Sequence, residues 1–300
     1  MIPFVWMPAF EYGTVETVSP LIRRVIANNP GPFTFTGTGT YLVGRAEAEA
    51  RVAVIDPGPL DEAHLAALLA AVEGQTVSHV LVTHTHRDHA PLARPFADRV
   101  GAPVLAAAVP ARTVHASATP DEDEDESFVP DIVLTGGERL MGDGWTLEAL
   151  ATPGHASNHL TFVLAEENAL FSGDHVMGWS TTVVAPPDGD MADYMASLDT
   201  VIAREFSTLW PTHGAPITAP GPFLEAYRTH RLEREAQILA RLEIGDRRIA
   251  DMVPILYAAV DSRLWPAASL SVWAHLIALQ QAGRVRAAPV PVIDAAWTLV

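Results

Sequence analysis

Short apolar runs alternate with stretches of helical period over the first two-thirds of the chain, and no longer repeat overlays them. Tyr41-Leu42-Val43 and Val52-Ala53-Val54-Ile55 predict strands, the second stopped by Asp56-Pro57-Gly58. The Ala- and Leu-rich residues 61–72 predict a helix. His79-Val80-Leu81-Val82 then predicts a buried strand that runs straight into a histidine cluster. Residues 88–100 predict a second helix and 102–105 another strand. Further strands are expected at 131–134, 145–150, 160–164 and 169–171.

The pattern changes after Pro220. Residues 230–242 set Leu232, Ala236 and Leu239, with Ile238 and Leu242, between charged positions, which is the mark of an amphipathic helix. A second helix is expected over 249–260, with Pro254 near its start or bending it. A third, over 267–281, ends at Gly283, and 284–299 predicts a short hairpin. Three helices and a ribbon describe a small winged-helix-like domain. The chain thus divides into a catalytic unit over 1–220 and a winged-helix-like unit over 221–300.

Thr83-His84-Thr85-His86-Arg87-Asp88-His89 supplies four candidate ligands within six residues. Histidines two apart at the end of a strand converge on one ion from an extended segment, and Asp88 and His89, at the following turn, face a second. Imidazole and carboxylate together suit zinc, and also manganese or iron. A histidine-rich loop without a ligand is the plain alternative. Three further pieces follow in the order a metal site needs: His155 in Thr152-Pro153-Gly154-His155, Asp174 in Phe171-Ser172-Gly173-Asp174, and His213 in Trp210-Pro211-Thr212-His213-Gly214. The two oxygens of Asp174 are suited to bridging two cations.

H-x-H-x-D-H, the later His, the Gly-Asp and the final His resemble the pattern of the metallo-β-lactamase superfamily over roughly residues 30–220. The resemblance implies an α/β fold, an αββα sandwich of two mixed sheets with helices outside and ligands on loops at one edge. It also implies a ligand assignment: His84, His86 and His155 on one metal, Asp88, His89 and His213 on the other, and Asp174 on both. The chain is more similar to the β-lactamase-like branch that includes a mitochondrial single-strand endoribonuclease and many bacterial hydrolases. That likeness rests on Asn29-Pro30, on residues 36–44, on His230-Arg231 with Arg234-Glu235, and on Ala274-His275-Leu276. One departure is Gly39, where the branch usually has Asn, so any substrate contact from that side chain is absent. True β-lactamases are similar only in the first motif; they generally lack a bridging aspartate, and several use a Cys ligand. Antibiotic hydrolysis is therefore not the expected main activity.

The implied mechanism is hydrolytic. Two divalent cations roughly 3.5–4 Å apart lower the pKa of a bridging water toward neutrality and polarise the electrophile. Hydroxide between them would attack a carbonyl carbon or phosphorus, with Asp88 ligating and orienting it and Asp174 keeping the ions in register, so Asp88 and Asp174 are the expected catalytic residues. His159 and His175 are candidate proton donors to the leaving group, the alternative for each being a histidine satisfied in the core or supporting a ligand. Asp56 reads equally as acceptor for a ligand histidine or as a turn residue. Met177, Trp179 and Tyr194 receive no site role.

Composition narrows the function. A hydrophobic content of 49% with 18% charged residues describes a chain that buries a substantial core. The absence of Cys excludes disulfides, thiolate nucleophiles and sulfur ligands to zinc, and it fits a reducing compartment. Residues 1–8 are apolar but lack an early basic residue and a long apolar stretch, so they read poorly as a signal peptide. No segment sustains the roughly 18 apolar residues of a membrane span; no membrane association is expected, and a cytoplasmic location is. The net charge of −17 lies almost wholly in residues 1–220: residues 221–300 hold nine Arg against eight Asp and Glu, about +1, which leaves about −18. The chain has no Lys. Acidic residues 121–126 predict a solvated loop.

Such charge repels a nucleic-acid backbone except where bound metal reverses the local field. A small-molecule ester, thioester or related acyl substrate is therefore ranked first. Single-stranded RNA, disfavoured by the acidic charge, comes second, and a non-catalytic winged-helix nucleic-acid-binding protein last. The expected third helix carries no Arg or Lys for phosphates, and its Leu270, Trp273, Leu276 and Ile277 point to packing or to a homo-oligomer interface. Arg231, Arg234 and Arg241 remain as candidate phosphate contacts.

Overall fold

The computed structural model describes residues 1–109 and 128–300; the acidic run 121–126 lies outside the described residues. A seven-stranded mixed sheet opens as an antiparallel meander of β1 (Glu16–Thr17), β2 (Ile22–Ile26), β3 (Gly39–Val43) and β4 (Arg51–Ile55). It continues in parallel through β5 (Thr76–Leu81), β6 (Val104–Ala107) and β7 (Ile132–Leu134). The helix α1 (Glu62–Ala71) joins β4 to β5, and α2 (Ala93–Val100) lies between β5 and β6. A five-stranded sheet follows: β8 (Arg139–Gly142), β9 (Trp145–Ala151), β10 (Leu160–Leu164) and β11 (Ala169–Gly173) are antiparallel neighbours. The strand β12 (Thr208–Pro211), reached through α3 (Met191–Ala203), pairs parallel with β11.

Side chains alternate across each strand with a period of two, and the two faces separate into different cores. Leu42, Val52, Val54, Val80 and Val104 face α1 and α2, where they meet Leu65, Leu68 and Phe96. Their neighbours Tyr41, Val43, Ala53, Ile55, Leu81 and Leu105 face the second sheet and pack on Leu147, Phe162, Leu164 and Phe171. On the far side of that sheet Val163, Leu170 and Leu209 pack against Leu198 and Val201 of α3 and against Phe223, Leu224 and Tyr227. Burial on both faces explains why the strands read as unbroken apolar runs rather than alternating ones. The layers are helix, sheet, sheet, helix, as expected from the sequence.

The expected strands at 131–134, 145–150, 160–164 and 169–171 are present to within a few residues, as is the helix over 61–72, capped by the Asp61 side chain accepting from the His64 N–H at 2.6 Å. The helix expected over 88–100 is corrected: it begins only at Ala93. Before it the chain turns, with the His86 carbonyl accepting from the His89 and Ala90 N–H groups, so Asp88 and His89 are held on a turn and not on a helical face. The helix α3 was not anticipated.

In the last third, α4 (Pro220–Ile244) starts ten residues before the stretch expected from periodicity, with Pro at its start. Its first half buries Phe223, Leu224 and Tyr227 on the second sheet's core, and its second half buries Ile238 and Leu242 in a separate core. There it meets α5 (Ile249–Leu256), which stops short of residue 260, α6 (Trp265–Gln281), and a hairpin of β13 (Val285–Ala288) with β14 (Ala296–Leu299). Trp297 is fully buried at the centre. This is a winged-helix arrangement.

Candidate metal centre

The ends of β5, β11 and β12, with the turn between β9 and β10, bring His84, His86, Asp88, His89, His155, Asp174 and His213 together. Glycine makes two of these turns possible. Gly154 has φ +136, and a Cβ there would sit 2.3 Å from the Tyr194 backbone; Gly173 has φ +52, and a Cβ would sit 2.7 Å from His159 Nε2. Each precedes a candidate ligand.

The ligand atoms fall into three groups, each within 4.8 Å: His84, His86 and His155; His84, His89 and Asp174; and Asp88, His89 and His213. His86 Nδ1 lies 2.9 Å from His84 Nε2 and 3.2 Å from His155 Nε2. The outer nitrogens fix which atoms carry lone pairs. His155 Nδ1 donates to the Val183 carbonyl at 2.7 Å, so its Nε2 is bare when the ring is neutral. Thr83 Oγ1 donates to Asp56 Oδ2 and therefore accepts from His84 Nδ1 at 3.0 Å, which leaves His84 Nε2 bare as well. Two lone pairs thus converge on one point beside His86.

On the other side His89 Nδ1 donates to Asp56 Oδ2 at 2.9 Å and His213 Nδ1 to the Gly37 carbonyl at 3.2 Å, which aims both Nε2 atoms inward. Asp88 Oδ2 lies 3.0 Å from His213 Nε2 and 3.5 Å from His89 Nε2. Asp174 splits its oxygens: Oδ1 is 3.6 Å from His89 Nε2 and 3.5 Å from His213 Nε2, while Oδ2 is 3.9 Å from His155 Nε2. His89 Nε2, His213 Nε2 and Asp174 Oδ1 are buried without a hydrogen-bond partner. Such atoms are costly to leave unmade, and cations accepting these lone pairs would satisfy all three. The donor set therefore fits two divalent cations, with Asp174 facing both.

The charges agree with that fit. Burial opposes a charged His89, yet the Asp88, Asp174 and Asp56 carboxylates outweigh it and lift its pKa well above the usual histidine range. His213 is raised by Asp174 and Asp88 in the same way, against burial. Despite burial, Asp88 and Asp174 are held below the usual carboxylate range by His89 and His213. This half of the site is an environment that favours positive charge. The His84 and His86 rings are the opposite: burial and neighbouring histidines keep both neutral, His86 down to about 3.

Asp56 resolves in favour of a support for ligands. It is fully buried at φ +50, and beside His89 it accepts from the Thr83 N–H at 2.8 Å and from the Thr83 and Thr212 hydroxyls at 2.8 and 3.0 Å. A non-glycine residue in that conformation is strained by ~1–3 kcal/mol, and four hydrogen bonds hold it there. The roles of Thr83 and Thr212 went unread, although both precede a candidate ligand in a Thr-His pair.

His159 and His175 are corrected as proton donors. His159 Nδ1 pairs with Thr152 Oγ1 at 2.9 Å, and its Nε2 accepts the Asp174 backbone N–H at 3.2 Å, so no proton is left to give; burial and the neighbouring His155 and His175 keep it neutral. His175 is fully buried against Tyr194, with ring centroids 5.0 Å apart, and burial pushes its pKa down to about 3. Gly39, at the start of β3, donates to the Thr212 carbonyl at 2.8 Å; a Cβ there would lie 3.1 Å from that oxygen and 3.3 Å from the Arg24 side chain. Met177 and Tyr194 are buried in the surrounding structure, and half-buried Trp179 stacks on Phe35 with centroids 4.7 Å apart.

A fold of this kind with this ligand set defines a class, and the chain belongs to it: it is a hydrolase of the metallo-beta-lactamase superfamily. The superfamily profile matches residues 34–213, and that of the beta-lactamase associated winged helix domain matches residues 249–297. Among individual proteins, the chain is 32% identical over 232 residues to Beta-lactamase-like protein 2 homolog of Caenorhabditis elegans, which covers 76% of this chain and 73% of that protein. It is 32% identical over 255 residues to Atrochrysone carboxyl ACP thioesterase of Claviceps purpurea, covering 82% and 75%. A beta-lactamase domain protein from Burkholderia ambifaria shares the fold with a TM-score of 0.76 at 20% identity, over 96% of this chain and 94% of that one.

Proposed function

We propose that this hydrolase acts on a small ester or thioester with two divalent cations, zinc ahead of manganese or iron. His84, His86 and His155 would hold one, Asp88, His89 and His213 the other, and Asp174 both. The observation that carries the reading is the set of buried, inward-facing atoms without partners: His89 Nε2, His213 Nε2 and Asp174 Oδ1. A cation pair supplies Lewis acidity, making water nucleophilic near neutral pH and polarising the electrophile. The chain's own part is orientation. Asp88, held ionised, accepts a hydrogen bond from the attacking water and aims it. Asp56 fixes the His89 ring and, through Thr212, the loop bearing His213.

With both ring nitrogens of His159 hydrogen-bonded and the His175 pKa pushed down to about 3 by burial, a leaving group that departs as an anion suits the site. A thiolate, whose conjugate acid has a pKa of about 8.5, does so more readily than an alkoxide. The printed name of the Claviceps relative is consistent with thioester chemistry. Against RNA stands the fate of the three arginines considered for phosphates. Arg231 is buried and bonded to the Thr182 carbonyl, Arg234 lies 4.0 Å over the Tyr257 ring, and Arg241 pairs with Asp246 at 2.6 Å. Leu270 and Leu276 of α6 are buried within the chain. Among the described residues no helix is long and apolar enough to cross a membrane, and the cysteine-free sequence suits a cytoplasmic setting.

A metal-replete screen across thioesters, esters, lactones, phosphodiesters and single-stranded RNA, run beside Asp88→Ala, tests the reading. Thioester or ester turnover that disappears in the variant supports it. Cleavage of RNA with no acyl turnover overturns the substrate assignment, and near-normal rates in the variant overturn the site.

A further inference from the structure

Behind the site, residues 180–183 lie between the candidate ligands and α4. On the inner side the Thr182 hydroxyl donates to the Asp174 carbonyl at 2.8 Å, with the His175 carbonyl at 3.1 Å, and the Val183 carbonyl accepts from His155 Nδ1. On the outer side α4 grips the same segment from two residues one helical turn apart. The Tyr227 hydroxyl accepts from the Thr182 N–H at 2.6 Å and donates to the Ser180 carbonyl at 2.9 Å. Arg231 donates to the Thr182 carbonyl, its guanidinium 4.9 Å from the Tyr194 ring centroid and 5.8 Å from that of Tyr227. Tyr194 in turn donates to the His175 carbonyl at 2.8 Å. Every link but the half-exposed outer loop residues is buried.

We infer that Tyr227 and Arg231 are positioning residues for one half of the metal centre: through Thr182 and Val183, α4 sets the His155 ring and the Asp174 backbone, and so governs occupancy by the cation of the His84, His86 and His155 group. Among the described residues this grip reaches the other half through the shared Asp174 backbone alone, and the His89 and His213 rings are oriented by Asp56 and the Gly37 carbonyl. Because the same helix carries Ile238 and Leu242 into the core of the winged-helix domain, that domain acts as the anchor for the grip. The inference rests on the two-cation reading and is tested apart from it.

The experiment counts bound metal on the full chain by elemental analysis after dialysis at fixed free zinc. It also titrates metal-free protein with cobalt(II), following visible absorption, for wild type, Arg231→Met, Arg231→Lys, Tyr227→Phe and Thr182→Val. Wild type should take two ions. Arg231→Met should keep one and bind the other ~10–100-fold more weakly, the range for residues that orient a ligand, with Arg231→Lys partly restoring it. Tyr227→Phe and Thr182→Val, each lacking one hydroxyl, should show the same defect if Arg231→Met does not fold. Adding His155→Ala should then remove no further ion, whereas adding His213→Ala should empty the site. Wild-type affinity for both ions in folded Tyr227→Phe and Thr182→Val overturns the inference while leaving the metal reading intact. A wild type that takes up neither metal overturns both.

Discussion

The two halves of the centre are built from similar rings in opposite surroundings. His84 and His86 sit among other histidines and are kept neutral by burial and mutual repulsion. His89 and His213 sit among Asp88, Asp174 and Asp56 and are driven toward the charged form. Their outer hydrogen bonds differ as well. His155 and His213 each lean on a backbone carbonyl and His84 on a hydroxyl, whereas His89 leans on a buried carboxylate. The lesson is that one fold edge sets the neutral His84 and His86 rings, which would offer a cation their lone pairs, beside an acidic pocket, which would attract it by field. Asp174 is shared between them.

The sharpest break in the comparison comes from its charged member. Asp88→Ala removes a carboxylate 3.0 Å from His213 Nε2 and should lower turnover by at least ~10²-fold. Elemental analysis should find the ion of the acidic half lost and that of the neutral half retained; loss of both, or of neither, would erase the distinction. Asp56→Asn should be somewhat milder, weakening the same ion by ~10–100-fold. The carboxamide keeps the shape but cannot accept all four hydrogen bonds, and folding stability should fall by ~1–3 kcal/mol as buried donors lose their partner. Chemical denaturation of metal-free protein checks the second figure. Arg231→Met should weaken the other ion by ~10–100-fold, so it and Asp56→Asn together form a double dissociation.

The halves should also separate by pH. Raised histidines bind their protons more tightly in the folded state, so in metal-free protein His89 and His213 contribute stability that is fully present below about pH 6.5 and is lost as pH rises through their folded values. Lowered histidines act in reverse. His84 and His86 contribute stability above about pH 6.5 that is lost as pH falls toward the value of about 3 for His86. A cation must displace protons from His89 and His213 but none from His84 or His86. Raising the pH from 6 to 8 should therefore tighten the acidic half by up to about tenfold per unit for each proton displaced, and tighten the half built on His84 and His86 less. Calorimetry in buffers of different ionisation enthalpy counts the protons released; equal release from both sites would contradict the contrast.

Much of this was legible in the sequence because the chemistry follows directly on the periodicity. The candidate ligands lie where apolar runs stop, and the run into His84 marks a strand end as clearly as the structure does. What was hidden is whatever depends on which atom points where. Asp56 in Asp-Pro-Gly looks like any turn residue until Thr83 and Thr212, 27 and 156 positions away, are seen to donate to it. His159 lies four residues beyond His155, close enough to suggest a proton donor, but spacing cannot reveal that its nitrogens are spent on Thr152 and Asp174. The turn over 86–92 imitated a helix because Leu92, Ala93 and Phe96 continue an apolar pattern while the His86 carbonyl, accepting from the His89 and Ala90 N–H groups, turns the backbone ahead of them. Similarly, α4 was read only from residue 230, since its first half is apolar toward the second sheet and lacks the charged alternation of its second.

The smallest expected effect tests whether the halves are joined. Thr83 Oγ1 touches both, donating to Asp56 on the acidic side and accepting from His84 on the neutral side, whereas Thr212 Oγ1 serves Asp56 alone. Valine keeps the shape of threonine and deletes the hydroxyl, and each substitution should cost only about 1 kcal/mol of stability, that of an ordinary hydrogen bond. Thr212→Val should weaken the acidic half by less than about tenfold, below the range for losing a whole orienting group, and leave the neutral half untouched. Thr83→Val should weaken both, because His84 Nδ1 loses its acceptor and the ring is free to take the other tautomer, with a proton where the lone pair was. Cobalt titrations read both sites in one experiment. A Thr83→Val protein that differs from Thr212→Val in neither site would mean that the two pockets are independent, their common oxygen notwithstanding.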